Sequence, residues 1–279
     1  STTFRSSDSS PEESGRLRIS DTLRLRRNRM DQTWQVERPA RVALFVTCLV
    51  DQFFPEVGEA TVKVLERVGV QVEFPEEQTC CGQVLLNDGF REEAAALARH
   101  FVEVFEPYEA VVAPSGSCVA AVREFYPQLL RGTALEGQTQ QVAHRTYELG
   151  EFLVRVLGVT RLGARLCGRV TYHPSCHLLR GLGTGACAER LIRNVEGVEF
   201  VPLRRPEACC GFGGIFSVKF GAVSEAMLED KLADLGATGA DVVVGTDVSC
   251  LMHLRGALQR RASPVRTLHL AELLAMESE

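Results

Sequence analysis

The chain has 279 residues, 45% of them apolar and 24% charged, with a formal net charge of −5. That length and apolar content suit two medium units with real cores, and an acidic balance without a long basic run argues against nucleic acid as a partner. Its apolar runs all fall short of the roughly 20 residues of a membrane helix, so no integral membrane segment is expected.

Residues 1–40 are rich in Ser and Arg, lack apolar periodicity and read as a disordered tail; the arginines from Arg24 to Arg29 carry no assignable role. From Arg41 the pattern alternates. "RVALFVTC" reads as a buried strand closing on Cys48, "PEVGEATVKVLERVG" as a helix and "VQVEF" as a second strand. A loop with Cys80 and Cys81 side by side follows, then the helix "FREEAAALARHFVEVF", the strand "EAVVAPSG" leading to Cys118, and the helix "VAAVREFYPQLL". Residues 131–168 read as a structured junction ending in a helix near Tyr147–Leu157.

The same order then returns. "RVTYHPSC" closes on Cys176, a helix near "CAERLIRNVEG" precedes the strand "VEFVPL", and a second Cys-Cys-Gly stands at Cys209, Cys210 and Gly211. The helix "AVSEAMLEDKLADLG", the strand "ADVVVG" and the helix "CLMHLRGALQRR" from Cys250 complete the copy. The matching cysteines repeat at offsets of 128, 129 and 132 positions, and "TYELGEFL" from Thr146 answers "TLHLAELL" from Thr267. The expected fold is α/β: two similar α/β CCG repeats, each a mainly parallel sheet with helix cover, related by a pseudo-twofold duplication. Their boundaries are set at 41–168 and 169–279.

Adjacent cysteines constrain the chemistry. Neighbouring Cα atoms lie about 3.8 Å apart, short of the roughly 4.4–6.8 Å of a disulfide. A single zinc ion usually takes its thiols from C-x2-4-C turns, and adjacent side chains on extended backbone point to opposite sides. A centre with several metal atoms accepts both thiolates more easily. Each set offers four: Cys48, Cys80, Cys81 and Cys118, then Cys176, Cys209, Cys210 and Cys250. Four thiolates are the usual complement of an iron–sulfur cluster, and in parallel α/β sheets the loops past the strand carboxyl ends form the ligand crevice. Each glycine lets backbone amides approach the sulfurs. Cys167 and Cys187 lie outside the repeat and read as small buried hydrophobes. A metal-free thiol-disulfide oxidoreductase using the Cys-Cys pairs and a zinc-stabilised scaffold stay open as other readings. No leader is visible, so a reducing, cytoplasmic setting is expected. His173, His177 and His253 stand near ligand positions, for packing or for hydrogen bonds around a centre. "GFGGIF" lacks the strand-turn-helix context of a nucleotide loop.

Through "FVTCLVD", "QTCCGQ", "APSGSC", "YHPSCH", "CCGFGGIFSVK" and "DVSCLMH", residues 41–276 resemble the family with duplicated cysteine-rich CCG domains. That family includes a component of heterodisulfide reductase and the iron–sulfur subunit of glycolate oxidase, and its lactate-utilisation protein A branch is the most similar. The resemblance implies an iron–sulfur electron-transfer subunit of a multi-protein complex oxidising L-lactate to pyruvate, an oxidoreductase component that does not act alone. It implies up to one cluster per domain, of the [4Fe-4S] type, on the eight repeated cysteines, with other subunits of the lactate-oxidising complex as partners. One departure stands out: the family pattern ends each domain in C-x-x-C, and here its first cysteine is Ser115 or Asp247, so five ligands become four. Ser115 and Asp247 are expected to hydrogen-bond a cluster, lend it an oxygen or cap a helix. The segment Phe212–Phe220 is expected to be a docking face or part of the core.

Overall fold

The computed structural model describes residues 38–277, so the tail reading of residues 1–40 falls, except at its end, outside the described residues. Short buried runs such as Val111–Ala113 are too apolar to face water and find hydrogen-bond partners only in a sheet. Strands β1 (Arg41–Leu44), β2 (Gln71–Glu73), β3 (Val111–Ala113) and β4 (Thr146–Glu148) form one sheet in the order β2-β1-β3-β4, with every pair parallel. Strands β5 (Arg165–His173), β6 (Glu196–Phe200), β7 (Val242–Gly245) and β8 (Arg266–His269) form the second in the order β6-β5-β7-β8, again all parallel. Identical order and direction are what a duplicated α/β unit requires.

Parallel neighbours need crossovers, which helices supply. In the first half these are α1 (Cys48–Phe53), α2 (Pro55–Arg67), α3 (Gln83–Asn87), α4 (Arg91–Phe105), α5 (Gly116–Ala120), which runs on through a π-helical turn (Ala121–Phe125) and a short helical stretch (Tyr126–Leu129), α6 (Glu136–His144) and α7 (Leu149–Glu151), extended by a π-helical turn over Phe152–Val156. The second half has α8 (Gly185–Arg193), α9 (Ile215–Lys219), α10 (Gly221–Gly236), α11 (Val248–Arg260) and α12 (Leu270–Ala275). Among the described residues no helix is long and apolar enough to cross a membrane.

The junction differs from the expectation. Where "TYELGEFL" and "TLHLAELL" read as helix, their first residues are strands β4 and β8, and helix begins only after Glu148 and His269. Both are capping residues. The Glu148 carboxylate accepts the Glu151 amide at 3.0 Å; His269 Nδ1 accepts the Ala271 amide at 3.1 Å, while Glu272 accepts the His269 amide at 2.7 Å. A three-residue buried strand is too short to show a period-two pattern.

The terminal helices are exchanged. α7 of the first half packs on α8 of the second, and α12 of the second packs on α2 of the first. One core therefore runs through both halves, joining Val42, Val64, Val112 and Leu149 to Val170, Ala188, Val242 and Leu273. The other faces keep separate clusters: Phe45, Phe101, Phe105 and Tyr126 in the first half, Leu228, Leu232 and Leu254 in the second. Arg67 of α2 ties the exchange at the chain end, donating to the carbonyls of Leu274 and Ala275 at 2.9 Å each, the last carbonyls of α12. Arg67→Ala is expected to cost about 1–2 kcal/mol for two charge-assisted bonds on a partly exposed helix end. The check is a lower urea midpoint at unchanged slope.

Candidate metal centres

Each sheet reverses its order next to its first strand, since β1 connects to β2 on one side and the chain then crosses to β3 on the other. A crevice opens at such a switch point, beyond the carboxyl ends of the strands. Cys48 begins α1 just past β1, Cys118 lies in the first turn of α5 just past β3, and Cys80 and Cys81 occupy the loop after β2. The second half repeats the placement with Cys176 after β5, Cys250 in the first turn of α11 after β7, and Cys209 and Cys210 in the loop after β6.

The thiols meet within each half. Cys48 reaches Cys80, Cys80 reaches Cys81, and the sulfurs of Cys81 and Cys118 stand 3.3 Å apart. Cys176, Cys209, Cys210 and Cys250 form the same chain of contacts. Hydrogen bonds from Cys48 and Cys81 hold the Cys80 thiol down at about 2, and those from Cys176 and Cys210 hold Cys209 down at about 2. Their neighbours move the other way: contact with Cys80 and burial push Cys48 up, contact with Cys118 and Cys80 pushes Cys81 up, and Cys176 and Cys210 follow. In the second set the hydrogen bond with Cys210 holds the buried Cys250 thiol down as well, at about 6. Only a cation among them would let all four ionise.

The residues fit a thiophilic metal group. The donors are sulfur, convergent and partly or fully buried. The Gly82 amide points to Cys80 Sγ and the Gly211 amide to Cys209 Sγ, each at 3.4 Å. Both glycines have positive φ, 73° and 89°, and a Cβ on Gly211 would lie 2.5 Å from the Ser224 carbonyl oxygen, so no side chain fits there.

The surroundings of the two sets differ. Around the first stand Phe45, Phe101 and Tyr126, whose hydroxyl donates to the Cys81 carbonyl at 2.9 Å. Around the second stand the three histidines singled out in the sequence. A His173 ring nitrogen lies within 4.8 Å of the Cys210 and Cys250 sulfurs. Cys176 Sγ is 3.6 Å from His177 Nδ1, and the His253 ring meets Phe212 edge-on at 5.9 Å.

Ser115 and Asp247 take the capping role, in an unexpected form. The Ser115 hydroxyl accepts the Cys118 amide at 3.3 Å and donates to Asp247 Oδ1 at 3.0 Å; that oxygen also accepts the Ser117 amide at 2.9 Å. Asp247 stands at the N-cap of α11 yet caps α5 of the other half. The two positions where the family pattern has cysteine thus meet across the duplication.

Other expectations change. Cys187 is buried as expected, but Cys167 lies exposed on the outer part of β5, where alternate residues face water. Phe212 and Phe216 are half-buried and Phe220 is exposed, so this segment is not core. Glu148 is fully buried, and burial pushes its carboxyl from 4.5 to about 8. Across that window the folded chain keeps a proton that the unfolded chain has lost, so stability falls as pH rises. Glu148→Gln is expected to flatten the fall, read as melting temperature at several pH values between 5 and 8.

The CCG cysteine-rich domain model matches residues 42–123 and again 170–255, the two segments that carry the thiol sets. Lactate utilization protein A of Geobacillus sp. (strain WCH70) is 45% identical over 235 residues, 84% of this chain and 98% of that protein. Its namesakes from Anoxybacillus flavithermus and Bacillus pumilus are each 47% identical, over 234 and 235 residues, with the same coverage. Two family matches that each carry one thiol set, and relatives aligned along almost their whole length, make this chain a member of the lactate utilization protein A family of duplicated CCG-domain proteins.

Proposed function

We propose that the chain is an iron–sulfur electron-transfer subunit of an assembly that oxidises L-lactate to pyruvate. The observation that carries this reading is the pair of convergent four-thiol sets at equivalent switch points, with relatives named for lactate utilization in support. In this reading Cys48, Cys80, Cys81 and Cys118 hold one [4Fe-4S] cluster, and Cys176, Cys209, Cys210 and Cys250 hold another. Such a cluster supplies uptake and release of single electrons. The Gly82 and Gly211 amides orient Cys80 and Cys209, and Phe45, Phe101 and Tyr126 cluster with Cys81 and Cys118 on the buried side of the first set. Ten free cysteines suit the reducing setting of the cytoplasm.

Partner subunits need a surface close to the thiol loops. Val218, Phe220 and Val223 are 53–77% exposed beside the second loop, and Val84 and Phe90 are exposed on the first half. Val84 approaches Gly214, so the two stretches are neighbours. We assign the docking face to this apolar area.

Protein purified without oxygen is expected to be coloured and to carry about four iron and four sulfide per occupied half, with air bleaching the colour. Colourless protein with stoichiometric zinc would favour the scaffold; metal-free protein that cycles thiols would favour the thiol-disulfide reading. The purified chain alone is expected not to turn over lactate with artificial acceptors, because a two-electron oxidation must first be split by a partner. Steady turnover without an added subunit would place the catalytic centre in this chain.

A further inference from the structure

The two thiol sets sit in matched positions, but the residue at the end of the central strand does not match. Aligning Cys48 on Cys176 puts Phe45 opposite His173. Phe45 is fully buried and held edge-on by Phe101 and Phe105 at 5.0 and 5.6 Å, a wholly apolar setting. His173 ends β5, pairs with Gly245 of β7, and is 1% exposed. Neither of its ring nitrogens makes a hydrogen bond of good geometry among the described residues, and what the ring does interact with is the Cys250 thiol. Burying an imidazole with no better partner than a thiol is costly. A polar group left so in a native core points to something absent from the protein atoms. What lies beside it is the second thiol set, with a ring nitrogen, Cys210 Sγ and Cys250 Sγ all within 4.8 Å of one another.

We infer that His173 is a metal ligand of the second centre, which is therefore held by nitrogen and sulfur together, whereas the first is held by sulfur alone. Imidazole and thiolate donors gathered this closely suit a metal centre, whose bonds to nitrogen and sulfur run about 2.0–2.3 Å. Imidazole is also a natural companion to thiolate at iron, as in centres where histidines replace cysteines. The inference rests on the proposal that the thiol sets hold metal, and it deepens that proposal: the fifth donor absent from the C-x-x-C position is supplied by a different strand. It makes the two halves chemically unequal despite their common fold.

The test uses the full chain carrying Cys80→Ser and Cys81→Ser, so that only the second set can be loaded, with ¹⁵N-labelled histidine. It is reconstituted anaerobically with ferrous iron and sulfide. Iron and sulfide content tests the cluster reading, and nitrogen hyperfine coupling in the paramagnetic state tests the ligand. The expected result is a strong ¹⁵N coupling that disappears in His173→Phe, with His173→Gln as the second variant should phenylalanine not fold there. Bound iron and sulfide with weak or no nitrogen coupling, or with coupling unchanged in both variants, would overturn the inference and leave the cluster reading standing. If zinc alone binds, the cluster reading fails; X-ray absorption showing one nitrogen among the zinc ligands, lost in the variants, would still uphold His173 as a ligand, and an all-sulfur shell would not. A second half that takes neither metal defeats both.

Discussion

Replacing Cys210 with serine is expected to strip the second half of its metal, lowering iron and sulfide by about half in protein with both centres filled. Cys210 is 2% exposed and sits between Cys209 and Cys250 in the chain of thiols. Serine keeps the shape but offers a harder oxygen that is a poor ligand for a thiophilic metal, and no spare thiol stands in reach among the described residues. Cys187→Ser is the matched control. Cys187 lies in α8, outside both sets, and burial pushes its thiol up to about 11, so it stays protonated. Its substitution is expected to leave iron and absorbance unchanged, apart from a small loss of packing. Equal metal loss in the two variants would break the assignment of ligands to the repeated cysteines.

Asp247→Ala is expected to lower stability by about 2–3 kcal/mol, a fall of roughly 5–10 °C in melting temperature for a chain of this size. The carboxylate is 1% exposed and accepts both the Ser115 hydroxyl and the Ser117 amide, so alanine removes the acceptor of a half-buried amide and leaves the buried Ser115 hydroxyl only the Ser117 hydroxyl at 3.3 Å. Asp247→Asn keeps one acceptor oxygen and should lose less. Because the effect runs through the contact between halves, Asp247→Ala and Ser115→Ala should be coupled, with an interaction energy of about 1 kcal/mol in a double-mutant cycle. Strictly additive losses would mean that the bridge contributes nothing. Iron content measured well below the transition separates capping from ligation, since a capping residue can be lost without losing metal.

Much of this was legible in the residues alone. The duplication showed in the cysteine offsets, and the alternation of apolar runs with helical stretches announced two parallel sheets, because a strand between helix-covered faces must be apolar throughout. The eight thiols were picked out by repetition, and the topology explains why residues such as Cys48 and Cys118, distant in sequence, meet: their strands are neighbours on either side of the switch point. The rest depends on what lies between the halves. β4 and β8, three and four residues long, are too short to carry a pattern of their own. The exchange of α7 and α12, the capping of α5 by Asp247 and the placement of the buried His173 imidazole beside Cys210 and Cys250 are relations between residues far apart in the chain or between equivalent positions that differ. Local sequence determines which elements form and where a side chain can point, through propensity and period. Only tertiary packing decides which buried polar groups find partners and which are left facing a set of thiols, because that depends on how the two halves close on each other.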